Sequence, residues 1–175
     1  MKLDNKYFPA FMAVVAVLTV IIIVISSLRH KETQKNRFIE SIQESDSLLT
    51  KSYIQINNPD SVTIGEFIGN DIVIVFWASW SEKSGMLLQE IYTLANQTDS
   101  LKVISALVLD ATDSIEKAQF LEGFVHIDGA SLFNDLKVPG IPSYVLLDKN
   151  GKLKYAHVGY QENAGYELLR QKLNE

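Results

Sequence analysis

The feature that most limits how this chain can fold is an uncharged apolar run near its N-terminus. From Phe8 to Ile25 the sequence reads FPAFMAVVAVLTVIIIVI, with Lys6 before the run and Arg29 after it. An α-helix needs about 20 such residues to cross the hydrocarbon of a bilayer. The apolar part of a cleaved signal peptide is shorter, about 7 to 15 residues. We therefore predict an uncleaved membrane anchor over residues 1–28, with a cleaved signal peptide as the alternative.

Basic residues on both sides of the apolar run leave its orientation open. Two lysines precede the run, and four Lys or Arg residues follow it between positions 29 and 37. Because basic residues favour the cytoplasmic side of a membrane span, this count does not place the rest of the chain outside the cytoplasm. Large domains are nevertheless translocated largely regardless of charge.

The composition excludes several kinds of chemistry. A chain of 175 residues can form one domain with a substantial core, and its net charge of -5 without any block of like charges disfavours nucleic-acid binding and a polybasic lipid patch. The sequence contains no cysteine, which excludes disulfides, thiolate ligands and thiol chemistry. Because His30, His126 and His157 have no partners at metal-ligand spacing, we expect neither a metal site nor a cofactor.

A polar stretch follows the apolar run and carries apolar residues near the helical period, namely Phe38, Ile42, Leu49 and Tyr53. We predict a helical stalk over residues 29–56 that packs either on the following domain or on a second copy of the chain. Turn-forming residues in INNPDS, residues 56–61, end this pattern. We therefore expect a single domain over residues 57–175.

Strand and helix signals alternate in that domain. DIVIVFWAS, residues 71–79, and LKVISALVL, residues 101–109, are continuous apolar runs typical of strands buried on both faces. An amphipathic helix is predicted between these strands, and a second one after Asp110, capped by Thr112 or Asp113. This order is a βαβ unit, which predicts parallel strands.

The last third of the chain predicts a hairpin between two helices. A short helix is expected from Ser131, and YVLLDKNGKLKYAHVG, residues 144–159, contains two antiparallel strands joined by turn residues 148–151. A final amphipathic helix is predicted from the apolar side chains Tyr166, Leu168, Leu169 and Leu173. We therefore expect an α/β fold with a mixed sheet and helices on both of its faces.

Three short motifs carry a resemblance to a known group of proteins. They are FWASW at residues 76–80, GIPS at residues 140–143 and DKNG at residues 148–151. Together they resemble the thioredoxin fold over residues 61–175, most closely the membrane-anchored thiol-disulfide oxidoreductases of the TlpA/ResA type. The resemblance implies that GIPS is a cis-proline loop facing the redox pair, and that the domain lies on the extracytoplasmic side of the membrane.

The positions that the resemblance assigns to a redox Cys-x-x-Cys pair hold Ser81 and Ser84 in this sequence. Disulfide exchange needs a thiolate to attack sulfur and a second thiol to resolve the mixed disulfide. A serine hydroxyl does neither, so we expect no catalytic residue at these two positions. The serines also have a structural explanation, because Ser79 and Glu82 fit a helix capping box and Ser81 could cap the helix in an alternative frame.

Two functions stay open from the sequence. One is a membrane-tethered, redox-inactive module that binds a protein or peptide in a groove formed, by the resemblance, by Trp80, Glu82, Ile141, Pro142 and Ser143. The other is a Cys-to-Ser form of a TlpA/ResA-type thiol-disulfide oxidoreductase. A stalk that joins copies into a homo-oligomer is compatible with the first. No nucleic-acid partner is expected.

Overall fold

The computed structural model describes residues 8–56, 58, 60–108, 110 and 121–175. The chain divides into two compact units, Met1–Asn36 and Arg37–Glu175. The segment predicted as a stalk is thus shared between the two units. The helix predicted to begin at Thr112 or Asp113 lies outside the described residues.

The first unit is formed by most of helix α1 (Phe8–Gln43). The most apolar 18 residues of this helix have a mean hydropathy of 2.9, and none of them is buried. By length and composition the helix could span a membrane, although a signal sequence has the same character.

Among its described residues, and besides the end of α1, the second unit contains seven strands, three α-helices, one 3-10 helix and one π-helical turn. In chain order they are β1 (Ser52–Ile54), β2 (Ser61–Thr63), a 3-10 helix (Ile64–Phe67), β3 (Asp71–Trp77), α2 (Glu82–Ala95), β4 (Leu101–Leu107), β5 (Val125–Asp128), α3 (Ala130–Asp135), β6 (Ser143–Leu147), β7 (Leu153–Val158), a π-helical turn (Ala164–Leu168) and α4 (Leu169–Leu173). β1 and β2 form a separate antiparallel ribbon.

The remaining strands form one mixed sheet in the order β5-β4-β3-β6-β7. β3, β4 and β5 are parallel, whereas β6 is antiparallel to both β3 and β7. The predicted parallel βαβ unit and the predicted hairpin are both confirmed. In the hairpin turn, the Asp148 carboxylate accepts hydrogen bonds from the backbone N–H groups of Asn150 and Lys152, each at 2.9 Å, and Gly151 supplies the positive φ of 79°.

The core lies on both faces of the sheet because successive strand residues point to opposite sides. On one face, Ile72, Ile74 and Phe76 of β3 pack with α3 and the end of α1. On the other face, Val73 and Val75 pack with α2 and α4. A continuous apolar strand at the centre of the sheet, with helices on both faces, is what the sequence predicts.

The last turns of α1 belong to the second unit and pack into its core. Phe38 is fully buried and lies edge-to-face on Phe76, with 6.4 Å between ring centroids. Ile42 and Tyr53 are also buried in the same cluster. Of the two predicted arrangements, packing of these residues on the domain is the one that the structure shows.

Strand β5 and the β1–β2 ribbon were not predicted. β5 has only four residues, Val-His-Ile-Asp, which is too short for a periodic pattern to indicate a strand. It forms a strand because it pairs in parallel with β4, from Ile104↔Val125 to Leu107↔Asp128. The three-residue ribbon strands are missed for the same reason.

Candidate functional site

Two segments far apart in sequence meet at one end of the sheet, where β3 ends and β6 begins. Phe76 at the end of β3 is paired with Ser143 at the start of β6. Because β3 and β6 are adjacent antiparallel strands, the chain that leaves β3 at Ala78 and the chain that enters β6 at Ile141 lie side by side. The Ile141–Pro142 peptide bond is cis.

Several residues of these segments and of the start of α2 are accessible to solvent. Trp80 is 65% exposed, Glu82 is exposed, and Ser81 and Ile141 are half-buried. We call these four residues the Trp80 surface. They include three of the five predicted groove residues together with one of the former redox positions.

The other two predicted groove residues lie beneath this surface. Pro142 is buried, and its carbonyl accepts a hydrogen bond from the Gly159 N–H at 2.8 Å. Ser143 is fully buried, and its hydroxyl donates to the Gly140 carbonyl at 2.7 Å. Both residues are therefore buried, and their hydrogen bonds stabilise the loop.

Ser81 is the residue that caps helix α2. Its backbone is extended, with φ -96° and ψ 108°, and its hydroxyl accepts a hydrogen bond from the Ser84 N–H at 3.3 Å. The Ser81 carbonyl accepts from the N–H groups of Ser84 at 3.0 Å and Gly85 at 3.2 Å. The predicted capping box of Ser79 and Glu82 is therefore wrong, and the alternative frame with Ser81 as the cap is confirmed.

Ser79 instead binds the carboxylate of Asp110. Its N–H donates to Oδ2 at 2.9 Å and its hydroxyl donates to Oδ1 at 2.7 Å. Asp110 follows β4, whose carboxyl end lies beside that of the parallel strand β3. This contact was not predicted because the two residues are 31 positions apart, although an Asp directly after the neighbouring parallel strand is a signal for it. The paired hydrogen bonds fix the chain immediately before Trp80.

The two former redox positions lie in different environments. Ser84 is fully buried, and its hydroxyl accepts a hydrogen bond from the Ala78 N–H at 3.4 Å, whereas Ser81 is partly exposed. In the part of the chain that the structure describes, neither hydroxyl is hydrogen-bonded to a His, Asp or Glu side chain. Among the described residues, therefore, no side chain that could serve as a general base is bonded to either serine.

The three histidines stand on separate elements. His30 is exposed on α1. In β5, His126 is buried and its Nε2 lies 3.0 Å from the Leu121 carbonyl; burial lowers the pKa of its imidazole. In β7, His157 stacks on Tyr144 with 5.3 Å between ring centroids. Among the described residues, no three His, Cys, Asp or Glu side chains lie close enough together to hold a metal ion.

The sequence matches no family model and no curated protein. Its fold is similar to that of many solved structures, including the following three. A provisionally named thiol:disulfide interchange protein DsbE from Chlorobium tepidum has a TM-score of 0.63 and 22% identity, over 71% of this chain and 90% of its own. A secreted Mycobacterium tuberculosis disulfide oxidoreductase, homologous to E. coli DsbE, has a TM-score of 0.60 and 14% identity, over 75% of this chain and 100% of its own.

Another similar structure is the exposed lipoprotein thioredoxin Etrx1 from Streptococcus pneumoniae. Its TM-score is 0.57 and its identity 16%, over 71% of this chain and 98% of its own. At such low identity these likenesses establish the fold: the chain has a thioredoxin-like fold, shared with thiol-disulfide oxidoreductases. The resemblance predicted from the three sequence motifs is thereby confirmed at the level of the fold.

Proposed function

We propose that this chain is a membrane-tethered thioredoxin-like module that binds an extended protein or peptide segment at the Trp80 surface and does not catalyse disulfide exchange. One observation carries the proposal. The exposed indole of Trp80 lies at the same end of the sheet as the backbone of Ile141, whose N–H and C=O groups are open to pairing. Both residues of the former redox pair at this end are serines.

The exposure of Trp80 supports a binding role. The other tryptophan, Trp77, is only 4% exposed and packs in the core. A large amphipathic ring that is 65% exposed leaves apolar area in contact with water, and burial of such a ring by a partner is favourable. Tryptophan is also among the residues that most often dominate the energetics of protein interfaces.

The backbone of Ile141 supports an extended ligand. In the described part of the chain, its N–H and C=O groups make no hydrogen bond. The neighbouring groups are occupied, because the Pro142 carbonyl is bonded to Gly159 and Ser143 is paired with Phe76. An extended segment can satisfy the two Ile141 groups by strand-like pairing while one of its side chains covers Trp80.

The serines support binding without turnover. Ser81 holds the start of α2 through its cap, and Ser84 is buried below it. Neither oxygen can form the reversible covalent bond that a thiol forms with a disulfide. A bound segment would therefore be held only by non-covalent contacts.

Helix α1 would supply the tether as a single uncleaved span. Its apolar side chains are exposed, and its length and hydropathy suit a bilayer. For the domain we propose the extracytoplasmic side, because two of the similar structures are a secreted protein and an exposed lipoprotein.

A Cys-to-Ser form of a thiol-disulfide oxidoreductase is the second candidate function. It is favoured by one observation: serine stands at both positions that the resemblance assigns to the redox pair. The genomic codons for positions 81 and 84 decide between the two. Serine codons support the binding module, and cysteine codons establish the oxidoreductase.

Site-specific photo-crosslinking in native membranes tests the binding function. A photoreactive phenylalanine analogue is placed at Lys83, next to the Trp80 surface, or at Lys102, an exposed residue at the opposite end of the sheet. We expect adducts with a polypeptide from position 83 that are absent from position 102, lost in Trp80→Ala and kept in Trp80→Phe. Identical adducts from both positions, or adducts that persist in Trp80→Ala, would contradict the proposal.

A further inference from the structure

The apolar part of α1 ends where the hydrocarbon of a bilayer would end. The helix begins at Phe8, and the sequence carries no charge from there to Leu28, a run of 21 residues. At about 1.5 Å per residue this run is about 31 Å long, which matches a hydrocarbon thickness of about 30 Å. Arg29 is therefore the first charged residue after the apolar run, and it would lie at the level of the headgroups.

Three cations follow within seven residues on this helix. Arg29, Lys31 and Lys35 are all exposed, and Glu32 is the single carboxylate among them. They extend over about 9 Å of the helix axis, comparable with the depth of a headgroup layer. Among the described residues, none of the three side chains takes part in an ion pair. We call these three residues the collar.

The rest of the chain has the opposite charge. Residues 37–175 contain 19 Asp and Glu against 11 Lys and Arg, so the second unit has a formal net charge of -8. The net charge of the whole chain hides the local excess of cations. The composition of the whole chain therefore disfavoured a lipid patch, although these cations lie close together on one continuous helix.

We propose that the collar binds the phosphodiester groups of anionic phospholipids at the bilayer surface. The Arg29 guanidinium can bind phosphate oxygens through two N–H groups, and the ammonium groups of Lys31 and Lys35 act as point charges. Because each basic residue near an anionic surface adds to the attraction, the collar selects anionic lipids around the span. The proposal rests on the membrane span proposed above and is independent of any ligand at the Trp80 surface.

Spin-labelled lipids test the collar. The full chain is reconstituted into bilayers of phosphatidylcholine and phosphatidylglycerol, and the relative association of labelled forms of the two lipids is measured by electron paramagnetic resonance. We expect a preference of about threefold or more for phosphatidylglycerol, which disappears in the triple variant Arg29→Gln, Lys31→Gln, Lys35→Gln. Sodium chloride should weaken the preference, because salt screens charges at the surface.

A matched variant removes the same charges elsewhere. Lys102→Gln, Lys149→Gln, Arg170→Gln neutralises three exposed cations of the second unit and should keep the preference. Equal preference in the collar variant and the unchanged chain would overturn the proposal. Extraction by alkaline carbonate separates the two failures: an extracted chain overturns both the span and the collar, and a retained chain without lipid preference overturns the collar alone.

Discussion

Ser81 and Ser84 are three positions apart, yet the fold gives them different chemical environments. Ser81 lies at the start of α2, half-exposed, where unpaired N–H groups create a positive electrostatic potential. Ser84 lies one turn later and is fully buried. The two positions would therefore shift the pKa of a thiol in opposite directions. Single cysteine variants allow this shift to be measured.

A thiol introduced by Ser81→Cys should have a pKa below its ordinary value of about 8.5, because the helix start stabilises the thiolate. A thiol introduced by Ser84→Cys should have a higher pKa than the first, because burial disfavours the charged form. The pH dependence of alkylation by iodoacetamide measures both, with Lys102→Cys as an exposed reference. Equal midpoints for the three variants would contradict this account of the site.

The sequence predicted some site residues and missed others for identifiable reasons. The Ser81 cap was predictable, as one of two frames, because a cap depends on neighbours within four residues. The Ser79–Asp110 contact depends on the parallel alignment of β3 and β4, which no local pattern reports. The burial of Ser143, likewise, follows from pairing with Phe76 and from its bond to Gly140.

Helices and strands with a long hydrophobic pattern were predicted, whereas the three- and four-residue strands were not. β3, α2 and β4 carry seven or more patterned residues each, and all three formed as expected. The final helix differs in detail, because its first turn, Ala164–Leu168, is π-helical. Tertiary contacts to Glu90 on α2 accompany that turn, and helical periodicity contains no signal for them.

Glu90 connects α2 to the C-terminal helical segment. Its carboxylate accepts hydrogen bonds from the Tyr160 hydroxyl at 2.9 Å and from the N–H groups of Asn163 at 3.2 Å and Gly165 at 2.8 Å. We expect Glu90→Ala to lower the free energy of unfolding by about 2 kcal/mol, because three donors lose a charged acceptor. Urea denaturation measures this, with the exposed Glu167→Ala as a control that should change little. Equal effects of the two substitutions would refute this role.

Phe38 tests whether the end of α1 is part of the domain core. Phe38→Ala should lower the free energy of unfolding of the second unit by about 3 to 5 kcal/mol, because it removes a fully buried ring that packs on Phe76. The full chain in detergent micelles is unfolded with urea and followed by the fluorescence of the buried Trp77. Phe11→Ala, in the exposed apolar run, is the matched control. A loss below about 1 kcal/mol for Phe38→Ala would show that this residue does not belong to the core.

For the molecule as a whole, His126 predicts a dependence of stability on pH. Burial lowers the pKa of His126 in the folded state, so the unfolded chain binds its proton first as the pH falls. Stability should therefore decrease as the pH falls below about 6.5. The pKa of Asp148 is also lowered, by the Lys152 N–H above all, but its effect begins at lower pH, near its ordinary value of 3.8.

Urea midpoints at pH 7.5 and pH 5.5 measure this effect. We expect the unchanged chain to lose more stability between the two values than His126→Gln, because glutamine has no proton to bind in this range. His157→Gln, in the other edge strand β7, is the control for the loss of a histidine as such. It is compared with His126→Gln at the same two pH values. A loss in His126→Gln equal to that of the unchanged chain would contradict the assignment.

Hydrogen exchange at the Ile141 amide tests whether the backbone of this residue pairs with a bound segment. The full chain in bilayers is measured alone and with a peptide copy of the segment that crosslinks at position 83. We expect the Ile141 N–H to exchange rapidly in the free chain and to become protected with the peptide, whereas exchange of the Lys102 N–H at the opposite end of the sheet should not change. An Ile141 amide that stays unprotected while the peptide is bound would contradict this expectation.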